Sequence, residues 1–147
     1  MFKSILVPID IAQRSSWEGA LPQAIELART SSGKVTVITV VRDVKAMLEG
    51  VQFPFQVEIM MSGAHDKLAE IVSSYRAAEV VIEEEVRFGS ISREILAAAR
   101  EHRADLILMV SHRPELKDYL IGPNAAHVAQ HADCSVLVLR RMAEGRP

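Results

Sequence analysis

The sequence predicts an α/β fold, an open five-stranded parallel sheet with helices on both faces. Short apolar runs rich in β-branched residues alternate with segments of helical periodicity. Most of the apolar runs do not alternate with polar residues, which is typical of strands that are covered on both faces. Parallel strands also need crossover connections, which the helical segments can provide. The chain has 147 residues, 49% of them hydrophobic. We therefore expect a single domain over residues 1–147, ending in a short charged tail at 141–147.

The first strand and helix are predicted from an apolar run and a capping pattern. Residues 4–9 form a nearly continuous apolar run. Ser15 and Ser16 followed by Glu18 resemble a capping box, after which apolar residues recur at helical spacing. Pro22 lies inside this segment. Either this proline kinks the helix, or the helix proper begins near it.

The rest of the chain continues the alternation. Residues 43–58 have weak periodicity and contain Phe53-Pro54-Phe55, which predicts an irregular connection, with or without one short helical turn. The complete predicted order is βαβαβαβαβ, with further strands at residues 34–41, 79–87, 105–110 and 135–139, and further helices at residues 59–77, 90–102 and 120–131.

Composition and charge exclude several classes of protein. The chain has 17 Lys and Arg and 19 Asp and Glu, which gives a formal net charge of −2. No segment carries the cluster of basic residues that is typical of nucleic-acid binding. The single cysteine, Cys134, excludes an internal disulfide framework and a cysteine zinc cluster. No leader or membrane-spanning segment is evident. We expect a cytoplasmic protein that neither binds nucleic acid nor inserts into a membrane.

The loops that follow the strands carry the candidate binding residues. In an open parallel sheet, a ligand binds beyond the carboxyl ends of the strands, where the strand order reverses. The loop after the fourth strand places His112, Arg113 and Lys117 shortly before a helix that begins near Gly122. A helix N-terminus carries unpaired N–H groups and partial positive charge that attract phosphate. This segment therefore predicts an anion site, although it matches neither the Walker nor the Rossmann glycine pattern.

Other reactive residue types support no catalytic or metal site. His112 follows Ser111, but no acid is placed to orient the imidazole, so a nucleophile–base pair is disfavoured. His127 and His131 lie four residues apart without a third metal ligand, which favours surface or interface histidines. Cys134 begins a buried strand and is expected to be a small core residue. We expect no catalytic residue and no metal ligand.

The whole chain resembles the universal stress protein family over roughly residues 2–140. The resemblance is carried by Ile-Leu-Val-Pro-Ile-Asp at 5–10, Ala-Asp-Leu-Ile-Leu-Met at 104–109, and the segment 131–140. His112-Arg113-Pro114, Tyr119, Gly122 and Asn124-Ala125 are similar to a short-loop subgroup with an Arg-Pro pair in its phosphate loop. The resemblance implies the strand order 3-2-1-4-5 of adenine nucleotide alpha hydrolase-like folds. It also implies homodimers through the last strand and a cytoplasmic regulatory role under stress with an unknown protein partner.

The resemblance further implies an adenine nucleotide, ATP or AMP with or without Mg, between the first and fourth strands. Asp10 corresponds to the family's residue at the base and ribose, and the backbone of Val40 to its adenine-reading group. Val110 and Arg113 stand where the ATP-binding pattern has glycines, and Pro123 replaces its Ser or Thr. The implied site comprises Pro8, Asp10, Val40, Ser111, His112, Arg113, Gly122, Pro123, Asn124 and Ala125.

Two functions remain open at this point. The first is a nucleotide-binding stress regulator with, at most, slow ATP hydrolysis or autophosphorylation. The second is a universal stress fold that has lost nucleotide binding and acts as a homodimeric protein-interaction module. Val110 and Pro123 favour the second function, because a β-branched side chain can narrow the pocket and proline removes an N–H donor.

Overall fold

The computed structural model describes residues 1–42, 54–76, 79–111 and 122–140. The predicted order of strands and helices is confirmed. The strands are β1 (Ser4–Pro8), β2 (Lys34–Arg42), β3 (Val81–Gly89), β4 (Leu106–Ser111) and β5 (Ser135–Arg140). The helices are α1 (Ala20–Ser31), α2 (Pro54–Ser73), α3 (Ile91–Glu101) and α4 (Pro123–His131), and a single 3₁₀ turn (Arg14–Ser16) precedes α1.

The five strands form one parallel sheet in the order β3-β2-β1-β4-β5, as the resemblance implied. The central strand β1 pairs with β2 on one side and with β4 on the other. The carboxylate of Asp105 accepts the N–H groups of Lys3 (2.8 Å) and Ser4 (3.0 Å) and so joins the beginnings of β1 and β4. Because β2 and β3 follow on one side of β1 and β4 and β5 on the other, the strand order reverses between β1 and β4. A ligand site is expected at this point.

Helices cover both faces of the sheet. Because successive strand residues point to opposite faces, Ile5 and Val7 pack under α1 and α2, whereas Leu6 packs under α3 and α4. All of these side chains are completely buried. Burial on both faces explains why the strands are continuous apolar runs rather than alternating ones. No helix within the described ranges is long and apolar enough to cross a membrane.

The beginning of α1 differs from the predicted capping box. Gly19 is the N-cap residue, and no side chain among the residues described caps it. Glu18 forms an ion pair with Arg14, and Ser16 belongs to the 3₁₀ turn. Pro22 is the third residue of α1, where a missing N–H costs the helix no hydrogen bond. The capping-box prediction is wrong, and the alternative start near Pro22 is confirmed.

The predicted irregular connection at 43–58 is wrong in its last part. Helix α2 already begins at Pro54, so residues 54–58 are helical, with proline at the first position that it favours. Residues 43–53 and the tail 141–147 lie outside the described residues. The other predicted elements are confirmed, with ends that shift by several residues at most.

Candidate functional site

A cavity of about 430 Å³ opens at the carboxyl edge of the sheet, beside the point where the strand order reverses. The ends of β1, β2 and β4 and the N-terminal parts of α3 and α4 form its walls. The lining residues are Pro8, Ile9, Asp10, Ser16, Val40, Arg42, Ile91, Ile95, Met109, Val110, Ser111, Gly122, Pro123, Asn124 and Ala125.

The cavity brings together most of the site residues named from the sequence. These are Pro8, Asp10, Val40, Ser111, Gly122, Pro123, Asn124 and Ala125. Segments more than 110 positions apart in the chain, such as residues 8–10 and 122–125, therefore line one cavity. The remaining predicted residues, His112 and Arg113, lie outside the described residues, as does Lys117.

Asp10 lies in a hydrogen-bonded turn directly after β1. Its Oδ1 accepts the N–H of Ala12 at 2.9 Å, and its own N–H donates to the Ser16 hydroxyl at 2.9 Å. The buried Ser16 hydroxyl donates in turn to the carbonyl of Gln13 at 2.7 Å. These bonds hold the exposed carboxylate of Asp10 at the cavity without occupying all of its acceptor positions.

The N-terminus of α4 forms another wall of the cavity. Gly122 is the N-cap residue, and the described part of the chain provides no side-chain cap for it. The carbonyl of Gly122 accepts the N–H of Ala126 at 2.9 Å, so the N–H groups of the preceding helical residues make no bond within the helix. Pro123 occupies the first helical position, which suits its ring. Among the described residues, therefore, no side chain caps the partial positive charge of this helix N-terminus at the cavity.

Gly122 also leaves unfilled space beside the cavity. A Cβ atom built on this residue would meet nothing within 4 Å. The backbone angles of Gly122, φ −61° and ψ 157°, are accessible to any residue. Neither backbone strain nor a contact within the described ranges therefore explains why glycine stands at this position.

Val110 does not close the cavity with its side chain. Along β4, Met109 packs into the core under α3 and α4, whereas Val110 packs against the opposite core under α1 and α2. This alternation follows from the pleat of the strand. Val110 lines the cavity, and its side chain lies on the side of the sheet opposite α4.

Several lining residues were not recognised from the sequence. Ile91 and Ile95 had been assigned only to the apolar side of a helix, and Ser16 to a capping box. Arg42 follows the predicted second strand and carried no signal beyond that position. Its place directly after a strand that neighbours β1 could have marked it, because such strand ends converge at the switch point.

Cys134, His127 and His131 lie away from this cavity. Burial raises the pKa of the Cys134 thiol, and the neighbouring carboxylates of Asp105 and Asp133 raise it further. The side chain is half-buried against the core under α3 and α4. The rings of His127 and His131 stack with 4.3 Å between their centroids. Among the described residues, no group of at least three metal-binding side chains occurs.

Comparison with known proteins identifies the family. The model of the Universal stress protein family matches residues 1–140. The chain belongs to the universal stress protein family. Universal stress protein G of Escherichia coli O157:H7 is 31% identical to it over 144 residues, which cover 95% of this chain and 100% of that relative.

Solved structures of this family share the fold. A universal stress protein family protein from Arabidopsis thaliana with AMP bound matches with a TM-score of 0.65 at 18% identity, covering 99% of this chain and 95% of its own. A universal stress protein in complex with cAMP matches with a TM-score of 0.63 at 21% identity, covering 95% of this chain and 97% of its own. At these identities, the likeness establishes the architecture of the chain.

Proposed function

We propose that this universal stress protein is a cytoplasmic stress-response regulator that binds an adenine nucleotide, ATP or AMP with or without Mg, in the cavity beside β1 and β4. The cavity volume of about 430 Å³ falls within the usual range for small-molecule sites. Family structures with AMP and with cAMP bound give independent support for an adenine nucleotide.

The proposed orientation of the nucleotide follows the family resemblance, and the chemistry of the cavity walls fits it. Phosphates bind at the N-terminus of α4, where Asn124 and Ala125 offer N–H groups. Ribose hydroxyls donate to the free acceptor positions of Asp10, and the base lies against the backbone at Val40. Arg113 supplies a planar cation to the phosphates and offsets the donor that Pro123 lacks. No catalytic residue is part of the proposal.

Gly122 is the observation that carries this proposal. Glycine stands at a helix N-cap with ordinary backbone angles, where a Cβ atom would meet none of the residues that the structure describes. Close approach of a phosphate to the backbone accounts for the absence of a side chain at this position. Serine or asparagine would otherwise be the better N-cap.

Isothermal titration of wild type and Gly122→Ala with Mg-ATP and with AMP tests the proposal. We expect saturable binding by the wild type, and a loss of about tenfold in affinity for the variant, equivalent to about 1.4 kcal/mol. Gly19→Ala is the matched control, because Gly19 is also a helix N-cap in open space but does not line the cavity. Its affinity should equal that of the wild type.

The outcomes separate the nucleotide regulator from the interaction module. No binding heat at millimolar nucleotide, together with no nucleotide released from freshly purified protein, would reject the regulator and leave the interaction module. Equal loss of affinity in both alanine variants would show that the effect comes from helix capping rather than from phosphate contact. Arg113→Ala provides a second variant, for which we also expect weaker binding of nucleotide.

We further propose that the chain forms a homodimer through β5. This strand is one edge of the sheet, and its apolar residues Val136, Leu137, Val138 and Leu139 all remain at least partly exposed. Leu137 is 38% exposed. The opposite edge strand, β3, carries Glu83, Glu84 and Glu85, and charged side chains discourage strand pairing. The contrast between the two edges favours β5 as the dimer surface, which also leaves room for a separate regulatory protein partner.

A further inference from the structure

We propose that Arg42 reads the base of the nucleotide and extends the specificity of the site from adenine to 6-oxopurines, the guanine and hypoxanthine nucleotides. This inference rests on the proposed function, because it concerns the same cavity. It assigns a specificity role to a residue that the sequence resemblance leaves without one.

The strand geometry brings Arg42 to the base end of the cavity. Arg42 is the last residue of β2 and lines the cavity together with Val40. Residues two apart in a strand share a face. Val40 packs against the core under α3 and α4, so Arg42 lies on that same side of the sheet. Its partner in the adjacent strand is Gly89, beside which the Glu94 side chain of α3 lies.

Among the described residues, the guanidinium of Arg42 has no hydrogen-bond or ion-pair partner, whereas that of Arg87 has several. Arg42 makes no hydrogen bond or ion pair with any described residue and is exposed. Arg87 pairs in register with Val40 and bonds Glu94 at 3.0 Å and Glu101 at 2.8 Å. Glu94 binds Arg87 through Oε1, and its Oε2 lies beside Gly89, 3.4 Å from the position that a Cβ on that glycine would take. The donors of Arg42 remain available to a ligand in the cavity.

The donor pattern of arginine decides which base it favours. A guanidinium offers five N–H donors and no acceptor. Guanine and hypoxanthine carry two adjacent acceptors, O6 and N7, to which arginine binds bidentately, whereas adenine carries an amino donor at position 6. A guanidinium facing position 6 therefore pairs with a 6-oxopurine and leaves the adenine amino group unmatched. The backbone at Val40 still serves adenine, so the site accepts both base types.

Titration of AMP, GMP and IMP into wild type, Arg42→Met and Arg100→Met tests this inference. We expect the wild type to bind GMP and IMP at least as tightly as AMP. Arg42→Met should weaken GMP and IMP binding by about tenfold and AMP binding by less than about threefold. Arg100→Met removes the same charge from an exposed position of α3 that does not line the cavity, and should change none of these affinities. Circular dichroism confirms that each variant is folded.

Each other result contradicts a defined part of the proposal. Equal weakening of all three nucleotides by Arg42→Met, or no weakening, would overturn base reading. In a parallel titration of adenosine, AMP and ATP, a loss of affinity that grows with the number of phosphates would assign Arg42 to the phosphates instead and would overturn base reading as well. Binding of AMP without GMP by the wild type would overturn this inference and leave the proposed function intact. A wild type that binds none of these nucleotides would overturn both.

Discussion

Thr36 illustrates how one atom affects the stability of a buried strand. It lies in the middle of β2, between Leu6 of β1 and Glu83 of β3, and is 1% exposed. Its β-branched side chain suits a strand. Its hydroxyl, however, is buried and has no hydrogen-bond partner in the part of the chain that the structure describes. A buried polar group without a partner loses its hydration and gains nothing in return.

We predict that Thr36→Val stabilises the protein. Valine keeps the shape of the side chain and removes the unsatisfied hydroxyl, so the free energy of unfolding should rise by about 1 kcal/mol. Urea denaturation measures this change. Thr36→Ser is the control: it keeps the hydroxyl and loses the methyl group, and should lower the free energy of unfolding. A valine variant less stable than the wild type would contradict the prediction.

A charge cluster joins the edge strand β3 to α3. Arg87 of β3 is 12% exposed and contacts Glu94 of α3 at 3.0 Å and Glu101 at 2.8 Å. It also contacts Glu85, 3.2 Å away within β3, and Glu85 contacts His102 at 2.9 Å. The hydrogen bond and charge of Arg87 lower the pKa of Glu101, and this bond in turn raises the pKa of Arg87. The edge strand is therefore fastened to the helix by ion pairs as well as by apolar packing.

We predict that Arg87→Met destabilises the protein by about 1–3 kcal/mol at neutral pH, because glutamates then lose their shared cation. The loss should shrink on acidification. Glu101 has a folded-state pKa below its ordinary value of about 4.5, so its contribution is present above that pH and disappears as the pH falls through the lowered value. Denaturation of both proteins across this pH range measures the difference.

Arg100→Met is the control for the charge cluster. Arg100 contacts Asp133 at 3.4 Å, and both side chains are well exposed. Such a pair contributes little, so its loss should cost less than about 0.5 kcal/mol. If the two methionine variants were equally stable, or if the Arg87→Met loss did not change with pH, the cluster would not hold β3 to α3 as proposed.

At the scale of the whole molecule, the two proposed binding surfaces lie at different edges of the sheet. The cavity proposed to bind nucleotide lies at the carboxyl edge beside β1 and β4, and the proposed dimer surface is β5, an edge strand. β4 connects them, because it lines the cavity with Ser111 and pairs along its whole length with β5.

We predict that Leu137→Lys converts the dimer to a monomer. A lysine in the centre of β5 places charge on the apolar edge, and charged edge residues oppose strand pairing. Light scattering should give twice the 16.2 kDa chain mass for the wild type and the chain mass for the variant. Val81→Lys is the control, because Val81 is 62% exposed but begins the opposite edge strand. A monomeric wild type, or equal effects of both lysines, would contradict the prediction.

Much of the fold was accessible from local patterns, and less of the site was. The apolar β-branched runs and helical spacings identified every strand and helix within the described residues, because these signals arise within a few residues of each other. The strand order came from the family resemblance and not from periodicity. At the site, the strand-end loops led to Asp10 and Gly122, whereas Arg42 was overlooked. Its role depends on which strand lies beside β2 and on which face it shares with Val40.

Residue type, spacing and charge alone thus predict an α/β sheet with a ligand site at its carboxyl edge. The direction in which each strand-end residue faces requires the complete sheet, because register and pleat depend on pairing between distant segments. That pairing turns the side chain of Val110 to the face opposite α4 and leaves Arg42 beside a glycine. It also adds Ile91 and Ile95 to the cavity, since α3 packs over the strand ends. Long-range packing thereby brings strand ends and helix N-termini from distant parts of the chain into one cavity.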